Sequence, residues 1–170
     1  MKIVFPLVCL TALIVAPGCS KMVEKATESA IESELSKDGK NSNVDISDGG
    51  MNIQIEGADG AMQYAVGESA SIPTDFPQDI PVEQSIKINM AHSNKGDGSF
   101  VIQGTSPKGF EEVVQFYQSS TVKAGWKEET VTRQGGKMWM TSMSKDERLL
   151  NIIIAAGDDG TSITQNTGKK

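Results

Sequence analysis

Apolar side chains recur at three-and-four spacing over residues 22–35, a period typical of a short amphipathic helix. The stripe consists of Val23, Ala26, Thr27, Ala30, Ile31 and Leu35. Glu24, Glu28 and Glu32 recur every four residues on another face, where a membrane-lying helix normally carries Lys and Arg. The pattern therefore favours a helix that packs on its own domain, or forms a stalk, over one that contacts the membrane.

Strict alternation of apolar and polar residues then marks three short segments between residues 44 and 66. The apolar positions are Val44 and Ile46, then Ile53 and Ile55, then Met62, Tyr64 and Val66. Gly-containing breaks at 48–50 and 57–60 separate them, so the pattern predicts a three-stranded meander with one apolar face. Because so small a sheet is marginally stable alone, we expect the first helix or the C-terminal half to cover that face.

The C-terminal half opens with a proline-spaced strap and continues as the best-defined unit of the chain. Pro73, Pro77 and Pro81 follow one another at every fourth position and predict an extended segment. After it, periodicity predicts one helix and six strands, the strands lying near residues 85–91, 99–104, 126–132, 137–143, 148–155 and 161–165. The order ββαββββ indicates one helix packed on an antiparallel sheet.

Residues that favour the beginning and the end of a helix flank the predicted helix of this unit. Ser106 is expected as its N-cap, and Pro107 is expected in its first turn. Glu111 and Glu112 suit the positive end of the helix dipole, and Gly125 suits the position after the last turn. These residues support a helix ending shortly before residue 125.

Together the patterns predict an α+β protein. Its N-terminal helix and small three-stranded meander precede the ββαββββ unit. The expected organisation is a signal peptide (1–18), an N-terminal helix and tether (19–43), a β-meander (44–66), the strap (67–83), the α+β unit (84–166) and a short tail (167–170).

The first nineteen residues have the pattern of a secretion signal. Lys2 precedes an apolar run over residues 3–15, which is shorter than a bilayer-spanning helix needs. The sequence Val15-Ala16-Pro17-Gly18-Cys19 resembles the lipobox of bacterial lipoproteins. That resemblance implies cleavage between Gly18 and Cys19 and attachment of diacylglycerol to the Cys19 thiol. Secretion without a lipid remains the alternative, because an ordinary signal peptidase also accepts Ala16 and Gly18 as its small pair.

A lipidated Cys19 would make the membrane the expected partner, since each buried acyl CH₂ contributes about 0.8 kcal/mol. Ser20 follows the cysteine, and in enterobacterial lipoproteins this implies sorting to the outer membrane with the domain facing the periplasm. A soluble secreted or periplasmic protein is the alternative. No disulfide is expected in the mature chain, because Cys9 leaves with the signal and Cys19 is acylated.

Charge narrows the choice of partners further. Once Lys2 leaves with the signal, 15 cations remain against 22 anions, a net charge of −7. This balance argues against nucleic acid and against an anionic membrane surface as partners of the folded domain.

The pattern from Ile72 onward also resembles a module of bacterial lipoproteins of uncharacterised role. The resemblance rests on the proline strap, the Ser106-Pro107 helix ending in Phe116-Tyr117, and Gly125-Trp126. It covers about half of the chain and implies a fold without implying an activity.

Residues that carry catalysis are sparse. His92 is the single histidine, and no Gly-x-Ser-x-Gly elbow or Cys-x-x-Cys pair occurs. Adjacent carboxylates such as Glu111 and Glu112 point in different directions and do not form an acid–base pair. We therefore expect a non-catalytic protein without a cofactor, and keep an envelope enzyme of unknown class as an alternative.

One set of residues suggests a different chemistry. Met138 and Met140 would share one face of a strand, with Met143 on the other. Together with His92 they predict a soft-metal site for Cu(I) or Ag(I), since thioethers and imidazole suit these ions. The competing interpretation packs these methionines beneath the helix, with Trp139 on the opposite face.

The leading functional hypothesis is a lipid-anchored module of the cell envelope that binds an envelope protein without catalysis. Its contacts are expected at a sheet edge, at the strap or at acidic loops. A periplasmic copper- or silver-binding protein is the second hypothesis.

Overall fold

The computed structural model describes residues 20–36, 40–47, 49–58 and 60–170, and within them the chain forms two α-helices and nine β-strands. The helices are α1 (Ser20–Leu35) and α2 (Phe110–Lys123). The strands are β1 (Asn41–Ser47), β2 (Gly50–Gly57), β3 (Gly60–Gly67), β4 (Lys87–Asn94), β5 (Ser99–Ser106), β6 (Lys127–Gln134), β7 (Met138–Lys145), β8 (Arg148–Gly157) and β9 (Gly160–Lys169). The α+β class is as predicted, with the sheet dominant. Gly18 and Cys19 lie outside the described residues.

All nine strands belong to one antiparallel sheet in the order β1-β2-β3-β4-β5-β9-β8-β7-β6. The meander is β1 to β3, and it extends the same sheet because β3 pairs with β4, with Ala65 opposite Ala91. The last strand, β9, returns to the middle of the sheet between β5 and β8. The predicted ββαββββ order therefore corresponds to β4 through β9 with α2.

The boundaries of α2 differ from the prediction at its start. Ser106 is the last residue of β5, it is buried, and its hydroxyl donates to Glu83 Oε2 at 2.9 Å. The N-cap is Gly109, so the expectation of a Ser106 cap with Pro107 in the first turn was wrong. Glu111 and Glu112 do occupy the first turn. Gly125 follows the last turn with a φ of 86°, a conformation that glycine adopts without strain.

The core lies between α2 and one face of the sheet. From the helix, Val113, Val114 and Tyr117 are buried against strand residues that alternate along β5, β7, β8 and β9. Trp139, Ile152 and Ile163 are among the latter. The strap closes one end of this core with Phe76 and Ile80. The side of the sheet that carries α2 is called the covered face below, and the other side is called the open face.

A cluster of charges fastens the strap to the sheet. The Asp79 carboxylate accepts hydrogen bonds from Lys145 Nζ at 2.7 Å and from Arg148 Nη2 at 2.6 Å. The Trp126 indole nitrogen donates to the Asp79 carbonyl at 2.9 Å, and the Arg148 guanidinium stacks over the Trp126 ring. The hydrogen bond from Arg148, aided by Lys145, lowers the pKa of Asp79 to about 2 against the opposing effect of burial.

Helix α1 packs on β1, as the sequence favoured, but it turns its glutamates rather than most of its apolar stripe toward the sheet. Glu32 Oε1 accepts a hydrogen bond from the Val44 backbone nitrogen at 2.8 Å, and Glu28 Oε1 accepts one from Ile46 at 2.8 Å. These carboxylates satisfy donors along a sheet edge that would otherwise be open. Much of the predicted apolar stripe, including Val23 and Ala26, is exposed instead. Among the described residues, no helix has the length and apolar character needed to cross a bilayer.

Candidate binding surface

The open face carries an apolar surface that neither helix covers fully. Strand register aligns Ile53, Tyr64, His92 and Val101 in one row across β2, β3, β4 and β5. Neighbouring rows on the same face add further apolar side chains. We call this set the apolar patch, and its members are Met51, Ile53, Ile55, Met62, Tyr64, Val66, Met90 and Val101.

Two members of the apolar patch are well exposed. Met62 is 38% exposed and Tyr64 is 37% exposed, while the other members are half-buried. We expected the first helix or the C-terminal half to cover the apolar face of the meander. The structure corrects that expectation, because α2 lies on the other side of the sheet. Helix α1 reaches β1, where Val44 is buried, and leaves β2 and β3 accessible.

A shallow cavity adjoins the patch at the end of β2 and β3. Its volume is about 470 Å³, and Ile55 and Met62 form its apolar part. The rest is polar and comes from Lys40, Asn94 and Asp97 with Gly57, Gly60 and Gly96. Gly60 has a φ of 112°, and a Cβ there would lie 2.7 Å from the Gly96 nitrogen, so the two turns touch through glycine.

The structure separates the residues that the sequence grouped as a soft-metal site. Met138 and Met140 share one face of β7 and Met143 lies on the other, as predicted, and the structure shows that the shared face is the open one. His92 is on β4, and β5, β9 and β8 intervene, a separation of about 19 Å at about 4.8 Å per strand. His92 and the two methionines are therefore not brought together. A site at Met138 and Met140 alone stays a prediction.

The interpretation that placed these methionines beneath the helix was wrong for Met138 and Met140, whereas Met143 does belong to the core. Trp139 is the residue beneath α2, with 1% of its surface exposed, and Met138 and Met140 are half-buried on the open face. Within the described part of the chain, no three His, Cys, Asp or Glu side chains are placed to hold a metal ion.

The most elaborate polar cluster surrounds Glu83, which the sequence did not single out. Its carboxylate is buried and accepts hydrogen bonds from Ser85 Oγ at 2.7 Å and Ser106 Oγ at 2.9 Å. Lys108 Nζ lies 3.5 Å from Glu83 Oε1 and 2.9 Å from Glu112 Oε1. Burial acts to raise the pKa of Glu83, but the bonds from Ser85 and Ser106 and the charge of Lys108 outweigh it, so the pKa lies below its ordinary value.

This cluster fits a structural role better than a catalytic one. Both serine hydroxyls donate to a carboxylate that is already stabilised as an anion, so neither is activated as a nucleophile. Glu83 also donates its backbone N–H to the Tyr117 hydroxyl at 3.3 Å, which ties the strap to α2. Burial raises the pKa of Tyr117, so this hydroxyl stays protonated. The cluster therefore positions the strap over the core.

Comparison with known proteins bears on the C-terminal unit. Residues 85–166 match a family model described as START domain-like, just under half of the 170 residues. The matched stretch begins just before β4, includes α2 and ends within β9. Neither the curated proteins nor the solved structures gave a match. The chain is thus similar to this family over β4 to β9, while the part of the apolar patch on β2 and β3 lies outside the matched stretch.

The sequence predicted only part of the apolar patch. Alternation identified its members on β2 and β3, which share one side because side chains alternate along a strand. The sequence did not show that this side would face away from α2. The contribution of Met90, His92 and Val101 depends on the pairing of β3 with β4 and of β4 with β5, and their register could not be derived from periodicity.

Proposed function

We propose that this protein is a lipid-anchored lipoprotein of the cell envelope that acts as a non-catalytic binding module, with the apolar patch as its contact surface for an envelope protein. Cys19 is the proposed anchor after cleavage at Gly18. Ser20, the residue after Cys19, supports the outer membrane, with the folded domain in the periplasm.

The observation that carries the binding role is the exposure of Met62 and Tyr64 on β3, in a part of the open face that neither helix covers. Tyrosine and methionine are enriched in the cores of protein interfaces, because they combine a large contact area with adaptable shape or a polar tip. The adjoining half-buried residues on β2 and β4 continue the apolar surface. The central row, which contains Tyr64, ends in the polar residues Asn166 on β9 and Asn151 on β8. An apolar centre with a polar surround is the usual anatomy of a protein contact.

The choice of a protein rather than a nucleic acid follows from charge. The folded domain has an excess of carboxylates, and nucleic-acid binding requires an excess of cations on the contact surface. Covalent chemistry has no support at the patch, where Tyr64 and His92 are the titratable side chains of the central row and no nucleophile–base pair accompanies them among the described residues.

Site-specific photocrosslinking in intact cells tests the proposal. A photoreactive amino acid replaces Tyr64 on the patch or, as the control, Gln118, which is exposed on α2 on the other side of the sheet. We expect one protein adduct from position 64, identified by mass spectrometry, and none from position 118. The same pair in a Cys19→Ala background shows whether the adduct depends on the anchor.

Matched substitutions define the contact independently. Met62→Glu should abolish the adduct seen from position 64, since a carboxylate placed in an apolar contact must be desolvated. Val131→Glu alters a residue of similar exposure on the edge strand β6 and should leave the adduct intact. Equal adducts from positions 64 and 118, or an adduct that survives Met62→Glu, would contradict the proposed surface. Absence of acyl mass on the N-terminal peptide would contradict the anchor.

A further inference from the structure

The N-terminal end of α1 presents large apolar side chains to solvent. Met22 is 79% exposed and Val23 is 57% exposed. Ala26 and Ala30 continue the same side of the helix and are also exposed. Apolar residues that follow one another along one side of a helix are typical of a contact surface.

The acidic side of α1 is used by the sheet. Glu28 and Glu32 accept hydrogen bonds from β1, and Glu24, one turn earlier on the same side, is half-buried. The sequence argued against membrane contact because these glutamates were expected to form the solvent-facing polar side of the helix. Their contact with β1 removes that objection for the side that remains exposed.

Cations accompany the exposed apolar residues. Lys21 and Lys25 lie in the same two turns as Met22 and Val23, and both are exposed. Lysines beside apolar side chains suit the interface of a bilayer, where the apolar atoms enter the headgroup region and the ammonium groups meet lipid phosphates. The net charge of −7 opposes approach of the whole domain to an anionic membrane, so this end of α1 is the part of the helix suited to contact one.

The exposed apolar surface of α1 also lies close in the chain to Cys19, and this position supports contact with the membrane. Helix α1 begins at Ser20, the residue that follows Cys19. Three residues of helix rise only about 4.5 Å, so acyl chains on Cys19 would hold Met22 close to the lipid headgroups. An interfacial helix buries its apolar side about 5–10 Å into that region.

We propose that the first two turns of α1 lie in the interface of an anionic bilayer, with Met22 and Val23 inserted and Lys21 and Lys25 on lipid phosphates. This rests on the proposed anchor at Cys19. Because Glu28 contacts Ile46 and Glu32 contacts Val44, α1 runs antiparallel to β1, and the turn at Gly49 and Gly50 lies toward the membrane. The cavity at the other end of β2 and β3 then faces away from it.

Depth-dependent fluorescence quenching tests the contact. The full chain is expressed with its own signal, and the mature protein is reconstituted into vesicles of phosphatidylcholine and phosphatidylglycerol with brominated acyl chains. A polarity-sensitive fluorophore is placed at Met22→Cys or, as the control, at Gln118→Cys. We expect about twofold or greater quenching at position 22 and none at position 118. Lys21→Glu with Lys25→Glu, or vesicles of phosphatidylcholine alone, should reduce the quenching.

The outcomes separate this inference from the anchor, which the intact mass of the N-terminal peptide reports. Acyl mass on Cys19 with an unquenched label at position 22 overturns the helix contact and leaves the anchor in place. An unacylated Cys19 overturns the anchor. Sedimentation of the unacylated chain with the same vesicles, with the label quenched, then supports the helix contact, and a chain that stays in solution overturns it. A label protected in native envelopes but not in vesicles indicates a protein on this surface and overturns the lipid contact.

Discussion

The two tryptophans are nearly equally buried, yet they differ in what their indole nitrogens contact. Trp126 is 3% exposed and donates to the Asp79 carbonyl, whereas Trp139 is 1% exposed and its nitrogen has no partner among the described residues. A buried donor without an acceptor costs about 1–3 kcal/mol of desolvation. Trp139 thus lowers stability through one atom while its ring fills the space beneath α2.

Substitution of each tryptophan by phenylalanine should separate these effects. Both changes remove similar volume, so both lose packing energy. Trp126→Phe also loses a hydrogen bond and the contact with Arg148, whereas Trp139→Phe removes an unpaired donor. We expect Trp139→Phe to reduce the free energy of unfolding by about 1–2 kcal/mol less than Trp126→Phe. Urea unfolding followed by circular dichroism measures the difference, and equal losses would contradict the contrast.

Single residues also show where sequence patterns stop being informative. Alternation correctly placed Met138 and Met140 on one face of β7 and Met143 on the other. It did not show which face carries α2, because period-two spacing defines two sides of a strand without saying what packs on either. Trp139 lies on the covered face, whereas the competing interpretation placed it on the face away from the helix.

At the level of elements, α1 and β1 fit each other because the spacing of the glutamates on the helix nearly equals the spacing of the backbone donors on the strand. Glutamates four residues apart on a helix are separated by about 6.0 Å along its axis. Backbone donors two residues apart on a strand are separated by about 6.6 Å. Glu28 and Glu32 can therefore each reach one outward N–H of β1, and the helix covers this edge against pairing with another chain.

Removal of the two carboxylates should uncover that edge. With Glu28→Ala and Glu32→Ala, the backbone N–H groups of Val44 and Ile46 lose their acceptors. Because a hydrogen bond to a charged group contributes about 1.5 kcal/mol or more, we expect their amide exchange to accelerate by about tenfold or more. Hydrogen exchange measured by mass spectrometry reports the change.

The control for this prediction keeps the acceptor and removes the charge. Glu28→Gln with Glu32→Gln retains an oxygen at each position, so exchange at residues 44 and 46 should accelerate less than in the alanine pair. Amides of β8, at the centre of the C-terminal unit, should be unaffected by either pair. Uniform acceleration across the sheet would indicate general destabilisation and would contradict a local role for the glutamates.

The extents of α1 and of most strands followed from periodicity to within a few residues, but the partner of α1 did not. The glutamates were expected on the polar side because charged side chains normally face water. Their use by β1 depends on β1 being the edge strand, which is a property of strand order. Ser106 shows the same limit, since Glu83, a carboxylate 23 residues earlier in the chain, engages its hydroxyl.

At the scale of the whole molecule, the sequence predicted the class and the order of elements and left the arrangement open. The return of β9 between β5 and β8 joins residues far apart in the chain, and such pairings leave no local pattern. The strap was expected only to connect two units. In the structure it closes the core with Phe76 and Ile80, and the charges around Asp79 hold it there.

Asp79 should make the stability of the whole fold depend on pH in the acid range. Its pKa is about 2 in the folded protein and 3.8 without the partners. A lowered folded pKa means that the carboxylate stabilises the fold fully above about pH 4 and that this contribution is lost as pH falls through about 2. Because the group is partly exposed, we expect Asp79→Asn to reduce the free energy of unfolding by about 1–2 kcal/mol at pH 7.

The difference between the native chain and Asp79→Asn should therefore shrink between about pH 4 and about pH 2, because the native carboxyl becomes protonated there. Urea unfolding at a series of pH values measures it, and subtraction of the two curves removes the titration of all other groups. Asp158→Asn, an exposed change in the turn between β8 and β9, should show no difference from the native chain at any of these pH values. A constant gap between the native chain and Asp79→Asn down to pH 2 would mean that the aspartate stabilises the strap through shape rather than charge.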